Sequence, residues 1–248
     1  PVHQDVLHEV MKAMESNFGN PSSIHSFGRK ARKSINEARH QLAKSIAAKD
    51  TEIIFTSGGT EADNYAILGV ANTYKHQGKH IITSVIEHHA VLHTFRSLEK
   101  QGFDVTYLPV DEQGNISLDT LKQSLRDDTI LVSIMFGNNE VGSIQDIESI
   151  GQLLKDHQAL FHTDAVQAYG IVPIDVKKFH IDLMSVSSHK INGPKGIGFL
   201  YCSEGVSLAP ISFGGEQERK RRAGTENVPA IIGFAKAAIL AEESMEEK

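Results

Sequence analysis

Tryptophan is absent from the 248-residue sequence, and cysteine occurs once, as Cys202. A single cysteine cannot form a disulfide within the chain, so the fold does not depend on such a bond. The first residues also lack the basic and apolar segments that make up a secretion signal. We therefore expect a reducing, cytoplasmic location.

Positive charge is scarce as well, since 25 Lys and Arg residues stand against 31 Asp and Glu residues and leave a formal net charge of -6. A chain of this charge has no overall positive field to attract nucleic acid or an anionic membrane. The longest apolar runs fall far short of the ~18 residues that a membrane span requires. We expect neither nucleic acid nor a membrane as a partner, and any anion site must be local.

The remaining composition is that of a globular protein, with 40% apolar residues and 20 glycines. The sequence starts at Pro1 rather than at a methionine and ends in the charged stretch 242–248. Both ends suggest cuts, so we expect a fragment of a longer protein. Because no Pro- or Ser-rich linker and no repeat divides the chain, one domain is the simplest expectation.

Helix-period segments alternate with short apolar runs along the chain, which is typical of a series of βα units. Helices are predicted at 6–14, 31–47, 61–75 and 147–157. Seven strands are predicted, at 52–56, 80–84, 104–109, 130–136, 160–163, 183–186 and 198–202. The sequence therefore predicts an α/β fold with a mostly parallel seven-stranded sheet and helices on both faces.

A glycine turn, Ser57-Gly58-Gly59-Thr60, connects the first predicted strand to a helix. Free backbone N–H groups, a hydroxyl and the positive end of the helix would meet there and attract an anion. Neither the phosphate-loop pattern nor the dinucleotide fingerprint occurs in the sequence. An ordinary glycine-rich turn with a threonine cap explains the same residues equally well.

Asp164 and Lys190 each follow one of two successive predicted strands. Because a crossover connection can bring the ends of both strands to the same edge of the sheet, an acid and a lysine would share one site. Lys190 lies among serine, histidine and glycine residues rather than on a charged helix face, as expected of a lysine that forms imines. The alternative is a solvated loop lysine.

Three histidines follow the second predicted strand, at positions 88, 89 and 93. The spacing of His89 and His93 could place both imidazoles on one helical face, so a metal-dependent hydrolase that uses His88, His89 and His93 is one alternative function. No H-E-x-x-H motif and no set of cysteine ligands accompanies them. We interpret His88 as a stacking or acid–base group, and His89 and His93 as helix surface.

The basic run 219–222 lies in a glycine-rich loop of an acidic chain. Nucleic-acid sites usually combine basic residues with aromatic ones, and this loop does not. A phosphate or carboxylate partner, or a contact between subunits, is the better interpretation.

Seven segments together resemble the cysteine desulfurases of the NifS/IscS type, which belong to the class V aminotransferases among the fold-type I pyridoxal phosphate (PLP) enzymes. They are NPSSIHSFG (20–28), SGGTEADN (57–64), EHHAVL (87–92), NNEVG (138–142), DAVQ (164–167), SSHK (187–190) with GPKG (193–196), and RAGTEN (222–227). The segments are spread along the chain from residue 20 to residue 227 and occur in the order of the family. The resemblance implies a PLP cofactor and the fold-type I large domain.

The resemblance also implies roles around the cofactor ring. Lys190 resembles the lysine that holds the cofactor covalently and later moves the substrate α-proton. Asp164 resembles the partner of the pyridine nitrogen, and His88 resembles the histidine that stacks on the ring and is available for proton transfer. Gln167 is similar to the donor to the ring hydroxyl oxygen, and Asn139 to the residue near that oxygen and the substrate carboxylate.

The phosphate ligands implied by the resemblance come from three parts of the chain. They are the backbone N–H of Gly59 with Thr60, then Ser187 and His189, and finally Thr225. Thr225 resembles a threonine that reaches the phosphate of the neighbouring subunit, so the resemblance implies a homodimer.

The reaction implied by the resemblance converts L-cysteine to L-alanine and leaves the sulfur as a persulfide on a protein cysteine, from which a sulfur-acceptor protein takes it. The nucleophilic cysteine and a carboxylate-binding arginine of the family lie farther beyond Lys190 than this chain extends, and Cys202 lies in an apolar strand as a packed thiol. We expect that this chain alone does not complete turnover. The sulfur could serve iron–sulfur cluster assembly, tRNA thiolation or another pathway, and the sequence does not identify the acceptor.

The resemblance also implies how this chain is organised into domains. Residues 1–15 are expected on the side of the small domain, residues 16–248 form the large PLP-binding domain and end in an interdomain helix, and the C-terminal small domain is absent. A selenocysteine lyase or a class V aminotransferase is an alternative with the same cofactor. A noncatalytic partner that only occupies a dimer interface is another.

Overall fold

The computed structural model of the protein describes residues 1–246 and places a seven-stranded sheet at the centre of this part of the chain. The strands are β1 (Ile53–Thr56), β2 (His80–Ser84), β3 (Asp104–Leu108), β4 (Thr129–Ser133), β5 (Leu160–Asp164), β6 (Leu183–Ser187) and β7 (Gly198–Cys202). Their order across the sheet is β1-β7-β6-β5-β4-β2-β3. Strand β7 is antiparallel to β1 and β6, and the other neighbouring pairs are parallel. The mostly parallel seven-stranded sheet predicted from the sequence is confirmed.

The helices within residues 1–246 cover both faces of this sheet. They are α1 (Gln4–Ser16), α2 (Ser26–Lys44), α3 (Gly59–Tyr74), α4 (His89–Lys100), α5 (Leu118–Ser124), α6 (Ile147–Leu154), α7 (Gln217–Lys220) and α8 (Val228–Glu246). Two short 3-10 turns are formed by Asp50–Glu52 and Ser188–Ile191. None of the helices of the described chain is both long and apolar enough to cross a membrane.

Local contacts explain where the observed elements differ from the predicted ones. Helix α2 begins five residues earlier than predicted, because the Nδ1 atom of His25 accepts the N–H of Gly28 at 3.3 Å and caps the first turn. The helix ends at Lys44, before Ala47, which has a φ of 58°. Strand β3 ends before Pro109, which has no N–H to donate to a ladder.

Two hydrophobic clusters, one on each face of the sheet, form the core. Neighbouring residues of one strand contribute to opposite clusters: Ile53 and Phe55 pack with α2 and α8 on one side, and Ile54 packs with α3 on the other. The same alternation occurs in β4, where Leu131 and Val132 belong to different clusters. Such burial on both faces requires apolar residues at successive positions, which is the pattern seen in the sequence.

Helix α1 packs against α8. The two helices approach closely at Gly233 of α8, because a Cβ added at this position would lie 2.5 Å from the side chain of Val10 in α1. The assignment of residues 1–15 to the side of a small domain and of 16–248 to a large domain stays a prediction. Glu247 and Lys248, the last two residues of that expected domain, lie outside the described residues.

The strand ends bring the candidate site residues together. Strands β1, β2, β4, β5 and β6 end at the same edge of the sheet, and the turns that follow β1, β2 and β6 leave from there. Between β1 and β6, Gly198 of β7 lies so close to Gly58 that an added Cβ would be 2.8 Å from the Gly58 Cα. A glycine at position 198 therefore allows the turn after β1 to approach the end of β6.

Candidate active site

A cavity of about 210 Å³ opens at the carboxyl ends of these strands. Its lining consists of Gly59, Thr60, Asp63, His88, Met135, Asn139, Asp164, Val166, Gln167, Ser187, His189 and Lys190. The structure thus brings together every residue that the resemblance implied for the cofactor site except Thr225. Asp164 and Lys190 do face one cavity, as the strand positions predicted.

The turn after β1 provides backbone donors at one end of the cavity. Helix α3 begins at Gly59, and its N-cap residue, Gly58, has a φ of 150° and no side chain to cap the first N–H groups. A Cβ at position 59 would lie 2.6 Å from Cγ2 of Val166, so only glycine fits without displacing its neighbour. The first turn of α3 therefore presents its N–H groups, with the positive end of the helix, to an anion.

Side-chain donors surround the same spot. The hydroxyl of Ser187 lies 2.8 Å from Nδ1 of His189, and Thr60 is the exposed second residue of α3. Burial, together with the charges of Lys190 and Lys195, lowers the pKa of His189, which favours the neutral imidazole. If Ser187 donates to Nδ1, the Nε2 proton of His189 is free to bind an anion.

Glu61 stabilises the turn from outside the cavity. Its carboxylate accepts the N–H of Ser57 at 2.7 Å and pairs with Arg222, whose Nε lies 2.7 Å from Oε1. Burial alone would raise the pKa of Glu61, but the hydrogen bonds from Arg222 and Ser57 outweigh it and lower the pKa. The basic run 219–222, expected to bind an external anion or a second subunit, thus has at least Arg222 in an ion pair within the chain.

Asp164 is the last residue of β5, and it is 5% exposed. Its Oδ1 accepts the N–H of Val166 at 2.9 Å. Burial raises the pKa of Asp164, whereas the Val166 N–H, the His88 ring and the positive charge of Lys190 oppose that rise. A cationic N–H group in the cavity would further stabilise the carboxylate of Asp164.

His88 is the N-cap residue of α4. Its Nδ1 accepts the N–H of Ala90 at 3.1 Å, so in the neutral imidazole the proton is on Nε2. One nitrogen of His88, one oxygen of Asp164 and one oxygen of Asp63 lie within 4.8 Å of one another. The ring of His88 is therefore fixed in orientation beside the acidic end of the cavity.

Lys190 lies in the 3-10 turn that directly follows β6, and it is exposed. The turn ends at Asn192, whose φ of 60° is left-handed, and it is closely packed because a Cβ at Gly193 would lie 2.0 Å from the hydroxyl oxygen of Ser188. A rigid turn therefore carries the lysine at the mouth of the cavity.

Sequence reasoning missed three lining residues, Asp63, Met135 and Val166. Asp63 lies one helical turn after Thr60 on α3, so the spacing of three residues could have indicated it. Met135 and Val166 are apolar and follow the strands β4 and β5 by two residues each, and no pattern in the sequence distinguishes them from core residues.

Thr225, His89 and His93 lie outside this cavity. Thr225 is exposed in the loop between α7 and α8, and its expected contact with a neighbouring subunit stays a prediction. The rings of His89 and His93 stack at 5.1 Å in a neighbouring surface depression that His88 also lines, but the acidic groups within ligand distance of His88 are Asp63 and Asp164. The three histidines therefore do not form the centre expected for a metal-dependent hydrolase.

Cys202 is buried in β7, where burial raises the pKa of its thiol to about 11. A protonated thiol inside the core is a poor nucleophile. The expectation of a packed structural thiol is confirmed.

These features fit PLP. The cradle at Gly59 matches an anionic phosphate, the buried Asp164 matches the protonated nitrogen of a pyridine ring, and Lys190 offers an amine to the aldehyde. Asn139 and Gln167 also line the cavity and offer amide groups to a ring hydroxyl or a carboxylate.

Known proteins match this chain over nearly all of its length. The cysteine desulfurase IscS of Methanosarcina thermophila is 58% identical over 247 residues, which cover 100% of this chain and 61% of that relative. A solved structure described as a NifS-like protein aligns with a TM-score of 0.97 at 42% sequence identity. The alignment covers 99% of this chain and 68% of the chain of that structure. The structure of SspA in complex with cysteine aligns with a TM-score of 0.93 at 41% sequence identity. This alignment covers 96% of this chain and 70% of the SspA chain.

The chain spans 61–65% of the length of the first curated relatives it matches. The family profile for class-V aminotransferases covers residues 1–248. Since this match extends over its whole length, the chain belongs to the aminotransferase class-V family.

Proposed function

We propose that this chain is the cofactor-binding part of a PLP-dependent cysteine desulfurase, a sulfurtransferase that converts L-cysteine to L-alanine and leaves the sulfur as a protein persulfide. The observation that carries the proposal is the common cavity of Lys190, Asp164 and the Gly59 turn. The name of the Methanosarcina thermophila relative supports the activity, and the complex of SspA with cysteine supports the substrate. PLP, when bound, supplies an electron sink for the carbanion left by removal of the substrate α-proton.

The residues that line the cavity would bind different parts of the cofactor according to their positions. The first N–H groups of α3, with Thr60, Ser187 and His189, would hold the phosphate. The carboxylate of Asp164 would keep a proton on the ring nitrogen, and this contact would stabilise its anionic form, which burial otherwise penalises. Gln167 would donate to the ring hydroxyl oxygen.

Lys190 and His88 handle protons on the substrate side. The amine of Lys190 would hold the cofactor, and as a free amine it would take up the substrate α-proton as a general base. Nδ1 of His88 accepts the Ala90 N–H, so Nε2 would be the atom that exchanges a proton with the substrate, and the imidazole would pack against the cofactor ring. Asn139 orients the substrate carboxylate.

The persulfide requires a thiol other than Cys202, because that side chain is buried with a raised pKa. We therefore place the nucleophilic cysteine outside these 248 residues. The chain by itself should bind the cofactor and cysteine but should not complete sulfur transfer.

The proposed assembly is a homodimer in the cytoplasm in which Thr225 reaches the phosphate of the partner. A sulfur-acceptor protein takes the persulfide sulfur, and the IscS name of the relative favours iron–sulfur cluster assembly over tRNA thiolation. The net charge of -6 gives no support to a nucleic acid or a membrane as a direct partner.

The test uses the protein that carries this chain, reconstituted with PLP and incubated with L-cysteine and a thiol reductant. We expect equal amounts of alanine and sulfide, and no product from Lys190→Ala. Alanine formed only from selenocysteine would identify a selenocysteine lyase, and transfer of the amino group to a keto acid would identify an aminotransferase. Either result would overturn the desulfurase assignment while leaving the cofactor site in place.

A further inference from the structure

Asp63 is a buried carboxyl group in the wall of the cavity, and it has no part in the binding and proton-transfer roles proposed above. It is 1% exposed, and Asp164 beside it is 5% exposed. One oxygen of each and one nitrogen of His88 lie within 4.8 Å of one another. Two carboxylates this close and this deeply buried cannot both be ionised, so at least one of the two keeps a proton.

The surroundings of the two carboxyl groups differ in a way that decides where the charge lies. Asp164 receives the N–H of Val166 at 2.9 Å and has the positive charge of Lys190 near it. The Oδ1 atom of Asp63 has no hydrogen-bond partner among the described residues. Asp164 is therefore the better site for the negative charge, and Asp63 for the proton.

The basic group nearest to Asp63 does not compensate a charge there. Nε2 of His162 lies 3.7 Å from Oδ1 of Asp63, but it also lies 2.9 Å from the hydroxyl oxygen of Ser185. Nδ1 of His162 lies 2.8 Å from the hydroxyl oxygen of Ser133. Burial lowers the pKa of His162 to about 3, so the imidazole is neutral at physiological pH.

The remaining titratable groups that face Asp63 act in the same direction. Glu87, which follows β2, is 5% exposed and adds a third carboxyl group on that side of the cavity. Burial, with the negative charge of Asp164 and the nearby carboxyl group of Glu87, raises the pKa of Asp63 well above its ordinary value and outweighs the opposing hydrogen bond from Ser185. The positive charge of Lys190 acts on Asp164.

We propose that Asp63 is a positioning residue that keeps its proton at neutral pH and thereby confines the negative charge of the buried pair to Asp164, which faces the ring nitrogen. The protonated Asp63 is also a neutral O–H donor in the cavity wall. This inference rests on the proposed cofactor site for its purpose, but the protonation state of Asp63 is a property of the chain without the cofactor.

The first test is infrared difference spectroscopy on the cofactor-free protein at neutral pH, comparing the parent with Asp63→Asn. We expect the difference spectrum to show loss of the carbonyl band of a protonated carboxylic acid. Loss of the two carboxylate bands instead would show that Asp63 is ionised and would overturn the proposal. Glu87→Gln is the matched control. It removes a different buried carboxyl group, so its difference spectrum reports the band of Glu87 rather than that of Asp63.

The second test follows the function of the pair in the protein loaded with PLP. Asparagine is a neutral isostere of a protonated aspartate, so Asp63→Asn should keep the cofactor affinity within about twofold and keep the pH midpoint of the cofactor absorbance. Asp63→Ala removes the donor and should weaken the affinity about tenfold and shift that midpoint. Equal losses in both variants, or an unshifted midpoint in Asp63→Ala, would overturn the positioning role.

The two tests separate this inference from the proposed function. A parent protein that does not bind PLP would refute the cofactor site while the infrared result still reports the proton on Asp63. A parent that binds PLP with an ionised Asp63 would refute only the inference.

Discussion

Strand β1 lies at an edge of the sheet, and a buried ion pair binds to its backbone in place of a further strand. Oε2 of Glu218 accepts the N–H of Phe55 at 2.9 Å, and Nη1 of Arg39 donates to the carbonyl of Ile53 at 2.7 Å. The two side chains also form a bidentate pair, with N–O distances of 2.8 and 2.6 Å, and both residues are buried. The pair thus fixes the strand that leads into the Gly59 turn.

The variant Glu218→Ala should lower the free energy of unfolding by about 3–5 kcal/mol, which is the usual cost of leaving one charge of a buried pair without its partner. The guanidinium of Arg39 would stay buried, and the N–H of Phe55 would lose its acceptor. For a domain of this size, about 2–4 °C of Tm is lost per kcal/mol, so we expect Tm to fall by roughly 6–20 °C.

Urea denaturation monitored by circular dichroism measures this effect. Glu216→Ala is the matched control, because Glu216 lies two residues away and pairs with Lys220 at 3.0 Å on the surface, where such a pair contributes less than about 1 kcal/mol. The double variant Arg39→Met/Glu218→Leu should be more stable than Glu218→Ala, because it leaves no unpaired charge. A loss below about 1 kcal/mol in Glu218→Ala would refute the reasoning.

Two further predictions concern the cavity and its pH dependence. Gly59→Ala should weaken PLP binding at least tenfold, measured by fluorescence titration, because its Cβ would lie 2.6 Å from Val166, whereas Gly137→Ala adds a Cβ at an ordinary 3.8 Å and should bind normally. Burial raises the pKa of Glu87 to about 8 from its ordinary value of 4.5, so the folded protein holds a proton that the unfolded chain releases between these pH values. The free energy of unfolding should therefore fall as pH rises through this range, by up to about 1.4 kcal/mol per pH unit from this group. Glu87→Gln should make the dependence of the unfolding free energy on pH less steep. An unchanged pH dependence in this variant would contradict the raised pKa of Glu87.

The parts of the fold that depend on local pattern were predictable from the sequence. Strands β2 and β7 occur at the predicted residues, because a short apolar run bounded by polar residues fits only a buried strand there. The common site of Asp164 and Lys190 was predictable because the carboxyl ends of parallel strands lie at the same edge of a sheet. Assigning the individual roles required the resemblance to a family.

The parts that depend on contacts between distant segments were not predictable. Glu218 adopts a φ of 46° and reaches a strand more than 160 residues earlier, and nothing in the basic run around it indicates this. The spacing of Asp63 from Thr60 places it on the same helix face, but only the packing of α3 on the sheet shows that Asp63 is buried beside Asp164. Burial of a polar side chain follows from tertiary packing rather than from its neighbours in sequence.

The most direct test of the cofactor site is borohydride reduction of the protein after incubation with PLP, followed by peptide mapping by mass spectrometry. The site geometry predicts one phosphopyridoxyl group per chain, on the peptide that contains Lys190, and none in Lys190→Ala. Modification spread over other lysines, or equal labelling of the Lys190→Ala variant, would contradict the account.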